Sequence, residues 1–229
     1  TAIFIFMFSV ARGREHLQQL FFTYGAVPTH LTAQTVVTHM FLHAHAGHLV
    51  GNMVWLAFFG MNVERRLGPV VYLVLYILSG LTSIGLFLLF MPNGNAPLVG
   101  ASGAISGVVG MYVVLFGRRI AEVSWIFGTV RTPAYLFTLF WIGTELLMAI
   151  LFSRHVQVAH WAHVGGFFGG AIAMFVLARA GFRQHSDEKP PEPKNLAESF
   201  TELRYIPAAQ GRLDETYALF FRRFDAPPA

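Results

Sequence analysis

Apolar residues run through this chain in long blocks, broken by short stretches where glycine, proline, arginine and histidine collect. A bilayer core takes about 20 apolar residues per spanning helix. Five blocks, some of them short, meet that description: residues 48–63, 69–91, 102–117, 134–152 and 159–181. Residues 1–10 are apolar but cover only half a bilayer, and with no initiator methionine they read as a first helix truncated at its start. Residues 11–47 mix apolar runs such as Leu20-Phe21-Phe22 with polar positions. That stretch is too broken to span and too apolar to be freely solvated, so it is placed in the membrane interface. The pattern predicts an all-α membrane protein, a bundle of six transmembrane helices.

Composition sharpens this picture. The 229 residues are 55% hydrophobic and only 12% charged, with a mean hydropathy of +0.53; a soluble domain of this length needs more charge to cover its surface. The charges are also segregated. Before Asp187 the acidic residues are Glu15, Glu64, Glu122 and Glu145, and the first lysine is Lys189. Residues 1–182 therefore read as the membrane-embedded domain and 183–229 as a short soluble tail. Arg65, Arg66, Arg118, Arg119, Arg131, Arg179 and Arg183 fall on one side of the expected bundle, against Arg12, Arg14 and Arg154 on the other. Arginine excess marks the cytoplasmic side, which puts both termini there. The sequence pI of 9.7 is thus a statement about topology, not nucleic-acid binding. Absence of cysteine excludes disulfides and a thiol nucleophile. In the tail, residues 189–194 form a proline-rich spacer, followed by helical apolar spacing over 196–205 and 212–224. The second of these looks like a helix of a tetratricopeptide unit; one such unit cannot bury its apolar face alone, so a surface helix on the membrane or a site for a protein partner are the readings left.

The candidate chemistry begins at Gly100-Ala101-Ser102-Gly103, where a broken loop gives way to an apolar helix. Small neighbours let the backbone turn and leave the hydroxyl uncrowded. A serine needs a base to become nucleophilic. Lysine and aspartate are both missing from residues 1–186, so neither a Ser–Lys pair nor an aspartate-bearing triad is available. His163, in His160-Trp161-Ala162-His163-Val164-Gly165-Gly166, opens another apolar helix running inward from the same side. The simplest arrangement is a Ser102–His163 dyad without a carboxylate. Glu145, the one carboxylate deep in a spanning block, is left without a role. Gly103 and Gly107, Gly165 and Gly169, and Gly166 and Gly170 repeat at four-residue spacing, which lets membrane helices approach closely, though such spacing is common to many bundles. His48 and Asn52 stand four apart on one helical face, and the Ser102 N–H lies at a helix N-terminus, so three donors are available to a developing oxyanion.

Gly100-Ala101-Ser102-Gly103, His163-Val164-Gly165-Gly166 and His48-x3-Asn52-Met53 together resemble the rhomboid family of intramembrane serine proteases, in order, spacing and topology over residues 1–182. The segment Asn62-Val63-Glu64-Arg65-Arg66-Leu67-Gly68 is similar to the family's end of the second helix, where Glu and Arg bond the neighbouring loop; Glu64 and Arg66 would take those supporting roles. The resemblance implies Ser102 as nucleophile, His163 as general base and then acid, and His48, Asn52 and the Ser102 N–H as oxyanion donors. It implies no cofactor or metal, single-span membrane proteins as substrates, cut near the membrane boundary, and residence in a bacterial inner membrane. Two positions depart from the family's pattern. Ser106 stands where an aromatic residue often packs on the catalytic histidine, and Gln34-Thr35 where Trp-Arg is common ahead of His39.

Two other classes fit parts of the sequence. A catalytically inactive, client-binding relative would typically lack the serine or the histidine, and both are present here. A membrane haem or metal carrier would draw on His39, His43, His45, His48, His160 and His163, but needs several of them to converge on one point.

Overall fold

The computed structural model describes residues 2–125, 128–152 and 159–182; the tail and its two expected helices lie outside them. Among the described residues the chain begins with α1 (Ala2–Val10) and α2 (Arg14–Tyr24), then a short α3 (Ala33–Thr38). The stretch expected in the membrane interface is therefore largely helical, held by local polar bonds. Thr32 and Thr35 form a reciprocal capping box at the start of α3, satisfying donors that a helix N-terminus otherwise leaves open. Thr38 donates to the Tyr24 carbonyl, tying α3 back to α2.

The first spanning block is not one regular helix. It is α4 (Ala46–Trp55), a π-helical turn at Leu56–Gly60 and α5 (Met61–Leu67), continuous in sequence. Gly60 sits in that turn, with Tyr72 and Leu56 where a side chain would need room. Such turns arise where packing interrupts the regular ladder, which apolar periodicity does not report. Gly68, at φ 75°, reverses the chain, and Pro69 opens α6 (Pro69–Phe90) at the position where a missing N–H costs nothing. After a loop come α7 (Ser102–Phe116), a hairpin of β1 (Ile120–Trp125) and β2 (Gly128–Pro133), α8 (Ala134–Phe152) and α9 (His160–Arg179). The hairpin pairs Ile120 with Pro133 through Trp125 with Gly128, antiparallel. It departs from the expectation of an all-α chain: residues 120–125 and 128–133 include Ile120, Val123, Thr129, Val130 and Thr132, β-branched residues that favour strands, a signal outweighed by the helical blocks on either side.

α6, α8 and α9, at 22, 19 and 20 residues, are long and apolar enough to cross a bilayer. Their outward faces are apolar, with Val70, Leu89, Phe140, Ile150 and Ile172 more than half exposed, as lipid contact requires. α7 differs: ten of its fifteen residues are buried, so it is the centre about which α6 and α9 pack. Small residues set that packing. A Cβ on Gly166 or Gly170 of α9 would run into the backbone of Gly103 or Gly107 of α7, while Gly165 and Gly169 face Ser83 and Thr82 of α6. On the other side, Met40 fills the notch that Gly80 leaves on α6. The remaining core gathers Phe59, Val63, Leu75, Val108, Met111, Ile142 and Met174 from five helices and the π turn.

Candidate active site

The loop leading into α7 is shaped before it delivers Ser102. Ala26 and Leu98 pair as an antiparallel bridge, and the Gly100 N–H donates to the His39 carbonyl over 2.9 Å. Gly100 lies at φ 132°, and a Cβ there would sit 2.8 Å from Cε1 and Nε2 of His48 and 3.5 Å from Ser102 Oγ. Glycine at 100 is thus required twice, by conformation and by the imidazole lying against it. Ser102 is the first residue of α7, so its N–H belongs to the set with no partner in the helical ladder.

Across the glycine seam, His163 Nε2 lies 2.9 Å from Ser102 Oγ, within hydrogen-bonding reach of a nucleophile and its base. The seam produces this distance. Gly103 and Gly166 sit one and three residues from the two side chains, and their backbones meet because neither carries a Cβ. Gly107 and Gly170 continue the contact one turn deeper.

The histidine is not free of a carboxylate, contrary to the simplest arrangement drawn from the sequence. Glu145 Oε2 lies 2.9 Å from His163 Nδ1 and 2.7 Å from His160 Nδ1. The three side chains are 11–15% exposed. Sequence spacing places Glu145 within α8, but which face it presents depends on how α8 is rotated against α9, and that is a tertiary property. The three ligand-type atoms also lie within 4.8 Å of one another, the one such grouping among the described residues. Contacts of 2.7 and 2.9 Å are in the range of charge-assisted N–H···O bonds. The wider histidine set does not converge. His39 Nδ1 bonds the Thr35 carbonyl at 3.1 Å, and His45 caps α4, its Nδ1 accepting the His48 N–H.

The two other proposed donors line the start of the α4 rod. Asn52 is 7% exposed, and its Nδ2 makes no hydrogen bond among the described residues; a buried amide left with unused donors is uncommon. The His48 ring lies edge-on to His43, with centroids 5.3 Å apart. His43 is 4% exposed with neither ring nitrogen bonded among the described residues. Burial, and then the neighbouring His48, pushes its pKa down to about 4, so it is neutral at physiological pH. Burial likewise lowers His39.

Ser106, where the family often has an aromatic, donates to the Ser102 carbonyl at 2.7 Å and stays on its own helix. Thr35, at the other departure, bonds Thr32, and its carbonyl accepts from His39; both contacts lie within the loop itself. Glu64 and Arg66 lie on α5, near the opposite end of the rod from His48.

Comparison with known proteins matches this chain to one family. Residues 30–180 match the Rhomboid domain. The chain is 29% identical over 192 residues to Rhomboid protease GluP of Bacillus subtilis, covering 78% of this chain and 34% of that protein. It is 28% identical over 165 residues to RHOMBOID-like protein 12, mitochondrial, of Arabidopsis thaliana, covering 65% and 48%. To RHOMBOID-like protein 1 of the same plant it is 34% identical over 142 residues, covering 61% and 33%. The chain therefore spans less than half the length of these relatives. A family match over most of the chain, together with apolar helices fit to cross a bilayer, identifies an integral membrane protein that belongs to the rhomboid family.

Proposed function

We propose that this protein is an intramembrane serine endopeptidase that cleaves single-span membrane proteins near the membrane boundary. The observation that carries the reading is the 2.9 Å contact between Ser102 Oγ and His163 Nε2. Ser102 Oγ attacks the scissile carbonyl carbon while its proton passes to His163 Nε2, and the carbonyl electron pair moves onto oxygen. The Ser102 N–H, Asn52 Nδ2 and His48 stabilise that oxyanion. On collapse the C–N bond breaks, the leaving nitrogen takes the proton from His163, and an acyl-serine remains. Water then repeats the sequence, with His163 again base and then acid.

Depth favours substrates in the membrane. A helix of 15 residues is about 22 Å long at 1.5 Å per residue, against a hydrocarbon core of about 30 Å. With Arg118 and Arg119 at the far boundary, Ser102 is recessed below the opposite surface. A substrate helix must unwind there, because a protease acts on extended backbone. Six spanning segments, with α1, the α4–α5 rod and α6 to α9 as members, put both termini on the cytoplasmic side, by the arginine distribution. A bacterial inner membrane is the proposed location, and residues 183–229 a separate tail open to a protein partner.

The test is cleavage by the purified chain in detergent of a panel of single-span proteins bearing helix-breaking residues at the boundary. The wild-type chain cuts and Ser102→Ala does not. Equal cleavage by both would sink the proposal.

A further inference from the structure

Glu145 is a carboxylate within a membrane helix whose place the dyad does not explain. Glu145 lies on α8 with an apolar face around it, and an ionisable group at that depth is costly unless it is bonded. It has two partners, and both meet the same atom: Oε2 faces Nδ1 of His160 at 2.7 Å and Nδ1 of His163 at 2.9 Å. A single oxygen between two ring nitrogens is satisfied when it is ionised and each nitrogen donates its hydrogen. That assignment has a consequence for His163. A neutral imidazole carries one hydrogen, so with Nδ1 protonated the lone pair is on Nε2, the atom 2.9 Å from Ser102 Oγ.

We propose that Glu145 is a positioning residue of the hydrolytic site, making Ser102, His163 and Glu145 a triad with His160 as a second ligand of the carboxylate. Resting on the protease reading above, this gives Glu145 two tasks. Before attack it holds His163 in the one tautomer able to accept the serine proton. After attack it faces an imidazolium, so the charge created on His163 is met by a fixed negative charge 2.9 Å away instead of being left alone in a medium of low dielectric. The proton stays on the imidazole throughout and passes to the leaving nitrogen; Glu145 takes none. His160 satisfies the carboxylate from the other side and keeps Oε2 aimed between the rings. Its own ring lies edge-on to that of His163, with centroids 6.2 Å apart.

Glu145→Gln tests this with little change of shape. An amide can present N–H to Nδ1, which forces the hydrogen of His163 to Nε2 and removes the base; the equivalent change in a serine protease triad costs about 10⁴-fold. With the full chain in detergent and a single-span peptide substrate, kcat should fall by about 10²–10⁴-fold while KM stays within about twofold, as expected for an interaction made in the transition state. Labelling of Ser102 by a fluorophosphonate should slow in parallel. His160→Gln should lower kcat less than Glu145→Gln does, since His163 keeps its carboxylate. Nitrogen-15 spectra of histidine-labelled wild-type protein should show His163 hydrogenated at Nδ1, a readout independent of whether any variant folds. A chelator should change neither rate. Wild-type kcat in a folded Glu145→Gln variant, a His163 hydrogenated at Nε2 in the wild type, or any effect of the chelator would overturn the proposal. A wild-type chain that neither cleaves nor labels fails the protease reading itself, which the Glu145→Gln arm does not.

Discussion

α7 and α8 are neighbours of similar apolarity that are held in different ways. Ten of the fifteen residues of α7 are buried, against four of the nineteen in α8, namely Ala134, Thr138, Ile142 and Ala149. α7 meets α9 backbone to backbone through Gly103, Gly107, Gly166 and Gly170, so the separation of the backbones that carry Ser102 and His163 is set by atoms with no rotamers to adjust. α8 presents Phe140, Leu147 and Ile150 outward and reaches the site through the side chain of Glu145. The difference separates two kinds of precision. The seam fixes where the nucleophile and base are; the looser helix supplies a group that orients one of them.

The same substitution in the two regions should break the comparison if it is wrong. Gly166→Ala places a methyl against the Gly103 carbonyl, where only backbone movement can relieve it. It should lower the unfolding midpoint by the equivalent of about 1–3 kcal/mol and reduce cleavage by more than tenfold, because a 1 Å displacement near reacting groups costs about 10²-fold. Gly143→Ala on α8 meets nothing within 4 Å. It should leave cleavage unchanged and stabilise the helix by about 0.5–1 kcal/mol. Thermal unfolding and turnover of the two variants side by side check both statements, and equal behaviour would show that the seam does not govern the site.

Asn52 sharpens the comparison from the side of the α4 rod. Its unbonded Nδ2 predicts that Asn52→Ala lowers kcat by about 10²–10³-fold with little change in KM and no loss of thermal stability. An early-melting Asn52→Ala variant with normal kcat would make the residue a packing element instead. The smallest expected effect lies in the first loop. His43 has its folded pKa lowered to about 4 by burial, from an unfolded value near 6.5. The unfolded chain therefore binds the extra proton first, and stability is lost as pH falls from about 6.5 towards 4. A His43→Leu variant should flatten that acid limb of the unfolding midpoint, and an unaltered limb would contradict the buried, neutral assignment.

How far the sequence reveals this molecule depends on whether a feature is local. The ends of α6, α7, α8 and α9 fall within a few residues of the apolar blocks, because each is a continuous run closed by glycine, proline or arginine. Ser102, His163, His48 and Asn52 stand out as polar residues at the starts of such runs. The π turn at Leu56–Gly60 is hidden, since Leu-Ala-Phe-Phe-Gly is equally apolar in a regular helix. The Glu145–His163 contact is hidden for a different reason: it joins residues 18 apart on two helices, and only the rotation of α8 about its own axis decides whether the carboxylate meets α9 or lipid. The hairpin at 120–133 is legible in hindsight, from alternating residues around Gly128.

The most direct measurement of the central claim is covalent labelling of Ser102 in purified protein. A fluorophosphonate reacts with a serine hydroxyl made nucleophilic by a base. Peptide mass spectrometry should find the adduct on Ser102 in the wild-type chain, no adduct in Ser102→Ala, and a rate reduced by at least about 10³-fold in a folded His163→Ala variant. Labelling of Ser102 at the same rate with and without His163 would contradict the account, because the serine would then owe its reactivity to something other than the histidine 2.9 Å away.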